Sequence, residues 1–245
     1  QALAPSLEDV RDYAQSVEIR VPGVDTAGVT AALAGLVARH PVLSLVVRED
    51  SGGDWHAEIP VAPTPIPLFE GTDVADLLPR MRGALAPTEG RMVSAGFLPA
   101  DGVLVLVAHH LVIDGISWRI LVDELARLLD GRDLPTAPES AWRRRALALE
   151  ERRLDPVEES HWRRVADRSC AVFPHPIPGP ESSTALRLWR VGDARIAAAV
   201  LDRIPAGLEA RPDAVLVAAL AVALQDWAEA EGTLLVEWET HGREP

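Results

Sequence analysis

Hydrophobic and polar residues follow one another along the chain in patterns that predict strands and helices in alternation. Alternation over residues 16–21 predicts a first strand, and the apolar run Val42–Val47 predicts a second. Between them the sequence predicts a helix that Asp25 or Thr26 could cap and that ends near His40. One face of this helix is apolar and comprises Val29, Leu33, Leu36 and Val37.

Residues 55–129 are also predicted to form both strands and helices. Further elements are predicted as strands at Trp55–Ile59, Met92–Leu98 and Val103–His110, and as helices at Asp73–Leu85 and Ile116–Leu129. The strand Val103–His110 is apolar at every position up to Ala108, which is typical of a central strand buried on both faces. The helix Ile116–Leu129 has a predicted inward-facing stripe of apolar residues, which are Ile116, Ile120, Leu121, Leu125 and Leu128.

Beyond a breaker-rich loop at 131–138 the pattern turns mainly helical. Helices are predicted at 140–153, 156–168, 193–202 and 213–230, and strands at 184–191 and 233–239. The proline-rich stretch 174–180 is a plausible linker. Because strands and helices intermix throughout, the fold class is predicted to be α/β or α+β.

Composition narrows the classes of protein that remain. Hydrophobic residues are 48% and charged residues 25% of the 245 residues, so we expect a folded core rather than disorder. The longest apolar run, Ala214–Leu224, is too short to cross a bilayer, and we expect no membrane partner. A net charge of −13 and an aromatic content of 4% argue against a nucleic-acid partner.

Cysteine and lysine content restrict the chemistry. Cys170 is the one cysteine, so no intrachain disulfide can form, and a reducing cytoplasm is the expected location. All 24 basic residues are arginine, which excludes mechanisms that need a lysine Schiff base or a P-loop lysine.

A polar cluster follows the predicted buried strand that ends at His110. His109 and His110 are adjacent, so their side chains should point to opposite faces, one toward a cavity and one into the core. Asp114 could hold the following loop, and Gly115 would leave space for the close approach of a ligand or backbone. Histidine suits proton transfer because its ordinary pKa is close to neutral pH.

Two other interpretations of this cluster stay open on the residues alone. Both histidines could be core residues while Asp114 only caps a helix. A metal site that combines His109, His110 and Asp114 is disfavoured because adjacent strand side chains diverge, and we expect no metal.

The segment His109–Gly115 matches the HHxxxDG signature of the condensation-domain superfamily of nonribosomal peptide synthetases, which is related in fold to chloramphenicol acetyltransferase. Ile116–Leu121 resembles the epimerization branch of that superfamily, and Glu239–Glu244 resembles the epimerization motif EGHGRE. Thr240 stands where that motif has glycine. His109 and Asp114 also fit the HX4D pattern of glycerolipid acyltransferases, but the phosphate-binding motifs and membrane segments typical of those enzymes are not found.

The resemblance implies an α/β, chloramphenicol acetyltransferase-like fold of two lobes. Residues 1–168 would form the N-terminal lobe, and 169–245 the start of a C-terminal lobe that is incomplete, as in a piece of a longer polypeptide. Such domains invert the Cα of an aminoacyl or peptidyl thioester carried on the 4′-phosphopantetheine arm of a peptidyl carrier protein. The expected partners are that carrier protein and neighbouring synthetase domains, with no directly bound cofactor.

The resemblance also implies a role for each candidate site residue. His110 and Glu239 would be the two acid/base groups. The residues that would shape the site around them are His109, Asp114, Gly115, Trp118, Arg119, His241 and Arg243. The alternatives are a condensation domain that forms peptide bonds, in which His110 would assist an attacking amine, and a degenerate module that only docks carrier proteins.

Overall fold

A computed structural model describes residues 13–134, 141–152, 155–166 and 193–228. Their contacts divide them into two compact units, one that extends to residue 151 and one that begins at residue 152. The predicted lobe boundary near residue 168 lies outside the described residues and stays a prediction. The predicted strands at 184–191 and 233–239 also lie outside them.

The first unit is built on a four-stranded mixed sheet. Its strands in chain order are β1 (Ala14–Arg20), β4 (Leu68–Glu70), β5 (Val93–Leu98) and β6 (Val103–His109). In space the order is β1-β6-β5-β4, with antiparallel pairing on both sides of β6 and parallel pairing between β5 and β4. A separate hairpin comprises β2 (Val46–Glu49) and β3 (Trp55–Glu58).

Strand β6 is central, as its apolar sequence predicts, and it has a hydrophobic cluster on each face. Leu104, Leu106 and Ala108 pack with the buried residues of helices α1 (Thr26–Arg39) and α3 (Gly115–Leu129). Val105 and Val107 pack on the other face, against Leu77 and Met81 of helix α2 (Val74–Gly83).

Side-chain caps fix the starts of helices α1 (Thr26–Arg39) and α2 (Val74–Gly83). The Asp25 carboxylate accepts a hydrogen bond of 2.8 Å from the Gly28 amide at the start of α1, and Asp73 does the same for Ala75 at the start of α2. The predicted apolar face of α1 is confirmed, since Val29, Leu33, Leu36 and Val37 are all buried. Among the described residues of this unit, the other α-helix is α4 (Ala141–Glu151).

Two predictions differ from the structure, and one observed strand is additional to those predicted. The run Val42–Val47 is not one strand, because a 3-10 turn occupies Pro41–Ser44 with proline in its first position, and β2 begins only at Val46. Strand β4 was not predicted at all. Ile120 does not belong to the inward stripe of α3, since it is 42% exposed while Leu121 and Leu125 are buried.

The second unit is helical in its described part. Its helices are α5 (Pro156–Ala166), α6 (Ala194–Ala198), α7 (Ile204–Leu208) and α8 (Pro212–Ala228), and a π-helical turn (Ala199–Arg203) joins α6 to α7. Within the ranges that the structure describes, none of the helices combines the length and apolar character that a bilayer crossing requires.

Candidate active site

The candidate site lies where β6 ends and α3 begins. Asp114 stands in extended conformation directly before α3, and its Oδ1 accepts hydrogen bonds of 2.6 Å from both the backbone amide and the hydroxyl of Ser117. The turn between strand and helix is closed by a 3.1 Å bond from the Val112 amide to the His109 carbonyl. Asp114 therefore caps α3 and ties the helix start to residues 110–113, which we call the histidine loop.

His109 is the buried member of the histidine pair. Its side chain has no exposed surface, and it continues the face of β6 that carries Val105 and Val107. The Leu111 amide donates a hydrogen bond of 3.2 Å to His109 Nδ1, so this nitrogen carries a lone pair. His109 is thus placed to support the loop from inside.

His110 lies on the opposite side, as the strand alternation predicts, and is partly exposed. Its ring stacks on Tyr13, with 4.5 Å between centroids and 8° between planes, and its backbone amide donates to the Tyr13 carbonyl at 2.8 Å. The Gln15 side-chain nitrogen lies 2.6 Å from His110 Nε2, and the Trp118 indole N–H donates to Gln15 Oε1 at 2.9 Å. Strand β1 therefore contacts this imidazole through Gln15, and helix α3 acts on it indirectly through the bond from Trp118 to Gln15.

The other residues predicted for the site have varied positions. Gly115 is the first residue of α3 and is exposed, and a Cβ built on it would meet no described atom within 4 Å. The close approach that its glycine suggested is therefore not seen among the described residues. Arg119 is exposed on α3 and makes no hydrogen bond or ion pair with another described residue. Glu239, His241 and Arg243 lie outside the described residues, so their roles stay predictions.

Two residues that contact His110 directly, Tyr13 and Gln15, are not among the predicted site residues. One signal could have identified Gln15. Its neighbours on the same face of β1, Val17 and Ile19, are half-buried apolar residues, whereas Ser16 and Glu18 are exposed. A glutamine at an inward-facing position needs polar partners, because an unpaired buried amide is costly.

This arrangement can support proton transfer. An imidazole that is partly exposed, stacked on one side and hydrogen-bonded through a ring nitrogen is held in one orientation while a substrate can still reach it. The buried neighbour His109 and the helix cap at Asp114 fix the backbone on either side. Among the described residues, no three histidine, cysteine, aspartate or glutamate side chains are placed to hold a metal ion.

Comparison with known proteins places these features in a family. A family model described as "Condensation domain" matches residues 92–245, which include His109, His110, Asp114 and Gly115. One chain of the linear gramicidin synthase of Brevibacillus parabrevis is 26% identical over 242 residues, which cover 87% of this chain and 5% of that protein. Nonribosomal peptide synthetase dtxS1 of Metarhizium robertsii is 37% identical over 118 residues, which cover 46% of this chain and 2% of that protein. The chain therefore spans a small part of the relatives it matches.

Solved structures agree on the fold. The epimerization domain from the third module of tyrocidine synthetase B superposes with a TM-score of 0.71 at 21% identity, over 91% of this chain and 56% of that one. The condensation domain from the Monacolin K polyketide synthase MokA gives a TM-score of 0.66 at 17% identity, with the same two coverages. The predicted mixed α/β fold of the condensation superfamily is confirmed.

Proposed function

Because the chain belongs to the condensation-domain family, we propose that it inverts the Cα of an aminoacyl or peptidyl residue bound to a peptidyl carrier protein. The residue would be held as a thioester on the 4′-phosphopantetheine arm of the carrier, within a larger synthetase whose neighbouring domains supply and use it. The observation that carries this proposal is the segment after the histidine motif. Its Ser117 and Trp118, which follow the epimerization pattern, bond to Asp114 and to the Gln15 that contacts His110.

The proposed reaction needs two groups on opposite sides of one carbon. One group removes the proton from Cα, and the electron pair of the C–H bond is delocalised onto the thioester oxygen as an enolate. The other group, which starts protonated, returns a proton to the opposite face of Cα. We assign these roles to His110 and Glu239, which exchange protonation states in one turnover and are reset through solvent.

Peptide-bond formation is the second candidate, because a condensation domain is also among the similar structures. In that reaction His110 would accept a proton from the attacking amine as the C–N bond forms and the carrier thiolate leaves. The segments Ser117–Arg119 and His241–Glu244 favour epimerization, since they resemble that branch.

Deuterium uptake distinguishes the candidates. A carrier protein loaded with an aminoacyl or peptidyl thioester is incubated with the protein in D₂O, and the released residue is analysed for Cα deuterium and for configuration. We expect deuterium at Cα and both stereoisomers with the unmodified protein. In His110→Gln and Glu239→Gln we expect uptake to fall roughly 10²–10⁴-fold, the usual contribution of a positioned acid/base group. His56→Gln is the matched control, because His56 is an exposed residue of the β2–β3 hairpin.

Each other outcome rejects the proposal. Dipeptide formation without Cα exchange indicates condensation. Carrier binding with neither reaction indicates a docking module. Full exchange in His110→Gln or Glu239→Gln rejects the two-group assignment even if epimerization occurs.

A further inference from the structure

Three polar side chains form a hydrogen-bonded series that ends on His110. The Trp118 indole nitrogen lies 2.9 Å from Gln15 Oε1, and Gln15 Nε2 lies 2.6 Å from His110 Nε2. Trp118 belongs to α3 and Gln15 to β1, so the series links two elements that flank the histidine loop. All three side chains are partly buried.

The chemistry of the first member fixes the orientation of the others. An indole N–H can only donate, so the Gln15 atom that faces Trp118 must be the carbonyl oxygen. The amide NH₂ of Gln15 therefore faces His110 and donates, and His110 Nε2 must accept with its lone pair. A neutral imidazole that accepts at Nε2 carries its proton on Nδ1.

We propose that Gln15, oriented by Trp118, is a positioning residue that fixes His110 as the Nδ1-protonated tautomer and so makes Nε2 its basic nitrogen. The stacked Tyr13 ring adds to this by holding the plane in which the Nε2 lone pair lies. The inference rests on the proposed function only in taking His110 as a group that accepts a substrate proton. It applies equally to a proton from Cα or from an amine.

The same geometry describes what Gln15 does during the reaction. In the structure its amide occupies the Nε2 lone pair, so it yields that position when the substrate's hydrogen approaches. The proton moves to Nε2, its bonding electrons stay with the substrate, and the ring becomes an imidazolium with N–H on both nitrogens. Gln15 Oε1 stays bonded to the Trp118 N–H, because an indole N–H cannot bond to an NH₂ group.

Substitution of Gln15 can reverse the tautomer without a change in side-chain length. In Gln15→Glu the carboxylate can still accept from Trp118, but it now accepts from His110 as well, so Nε2 must carry the proton. Gln15→Met removes the hydrogen bond at similar volume. Trp118→Phe removes only the group that orients Gln15, which frees its amide to turn. We expect a mixture of tautomers in the last two variants.

Nitrogen-15 NMR of the imidazole rings measures the tautomer directly, at about pH 8.5, well above the ordinary histidine pKa of about 6.5. The 245-residue chain is labelled, and the ring signals of His110 are assigned by their loss in His110→Gln. We expect a pyridine-like Nε2 in the unmodified chain, a shift to pyrrole-like Nε2 in Gln15→Glu, and averaged shifts in Gln15→Met and Trp118→Phe. The His56 ring, on the separate hairpin, should not change in any variant.

A pyrrole-like Nε2 in the unmodified chain overturns the proposal, as does an unchanged tautomer in Gln15→Glu. An unchanged tautomer in Trp118→Phe overturns the role of Trp118. In the exchange assay we expect Gln15→Glu to lose at least about tenfold, since a catalytic histidine held in the wrong tautomer can cost about 10⁴-fold in a serine-protease triad. The NMR result does not depend on turnover. The expected tautomers without any Cα exchange would reject the proposed function alone, and exchange with the opposite tautomers would reject this inference alone.

Discussion

Asp114 is the residue through which the histidine loop and the following helix are joined. Its Oδ1 accepts two hydrogen bonds from Ser117, one of them from a backbone amide that has no partner within the helix. Since Trp118 is the next residue, the cap also fixes the direction of the indole that bonds to Gln15. The hydrogen bonds from Ser117 to Asp114 therefore cap the helix and position the site at the same time.

Substitution of Asp114 should separate the capping contact from the charge. We expect Asp114→Ala to lower the free energy of unfolding by about 0.5–2 kcal/mol, and Asp114→Asn to change it much less, because asparagine is also a good N-cap. Asp73→Ala is the matched control, since it removes the corresponding cap from α2, away from His110. Urea denaturation measures all three. An Asp114→Asn protein as unstable as Asp114→Ala would show that capping is not what Asp114 contributes.

At the scale of elements, local signals predicted most of the first unit. The helix caps Asp25 and Asp73 and the uniformly apolar β6 act within a few residues of themselves, so they can be identified without knowledge of the fold. Strand β4 could not be identified in this way. It has three residues, and parallel pairing with β5 defines it.

Among the described residues, the site was predicted only where its members lie close together in sequence. The motif identified His109, His110 and Asp114, which lie between the end of β6 and the start of α3. Gln15 and Trp118 are 103 positions apart, and they meet because β1 pairs with β6 in the register that places Ala14 opposite His109. That register is a property of the sheet, which no local pattern specifies.

A partly buried polar cluster between the end of α1 and α3 supplies a test at this scale. Glu124 of α3 bonds to His40 and lies 3.5 Å from Arg39 Nε, and its side chain is only 13% exposed. Arg39 Nε and Nη1 are buried, with no hydrogen-bond partner among the described residues. Without the Glu124 carboxylate the guanidinium would be a poorly compensated buried charge.

We therefore expect Glu124→Ala to lower the free energy of unfolding by about 1–3 kcal/mol, measured by urea denaturation. Asp123→Ala is the matched control. Asp123 is the preceding residue of the same helix, and its exposed pair with Arg127 should contribute about 0–1 kcal/mol. Equal losses of unfolding free energy in the two variants would show that the Glu124 contacts stabilise the fold no more than an exposed ion pair does.

At the scale of the whole molecule, the two units differ in how far their large apolar side chains are buried. The sheet of the first unit is covered on both faces by helices and is the location of the buried core. In the second unit, large apolar side chains are exposed along the described helices. Leu216 and Leu220, one turn apart on α8, are 46% and 41% exposed. A helix that is apolar on all sides is normally buried in a larger assembly of elements.

This exposed face predicts self-association of the 245-residue chain. We expect the double variant Leu216→Glu/Leu220→Glu to associate at least about tenfold more weakly in sedimentation velocity over a range of concentrations. The reason is that burial of one leucine side chain contributes about 1.5–3 kcal/mol, and about 1.4 kcal/mol is a factor of ten in an equilibrium constant. Ala31→Glu/Ala34→Glu adds the same charge to exposed positions of α1, where no large side chain is lost. If both double variants weaken association equally, the net charge and not the apolar face of α8 controls it. If the unmodified chain stays monomeric at all concentrations, the exposed leucines do not drive association.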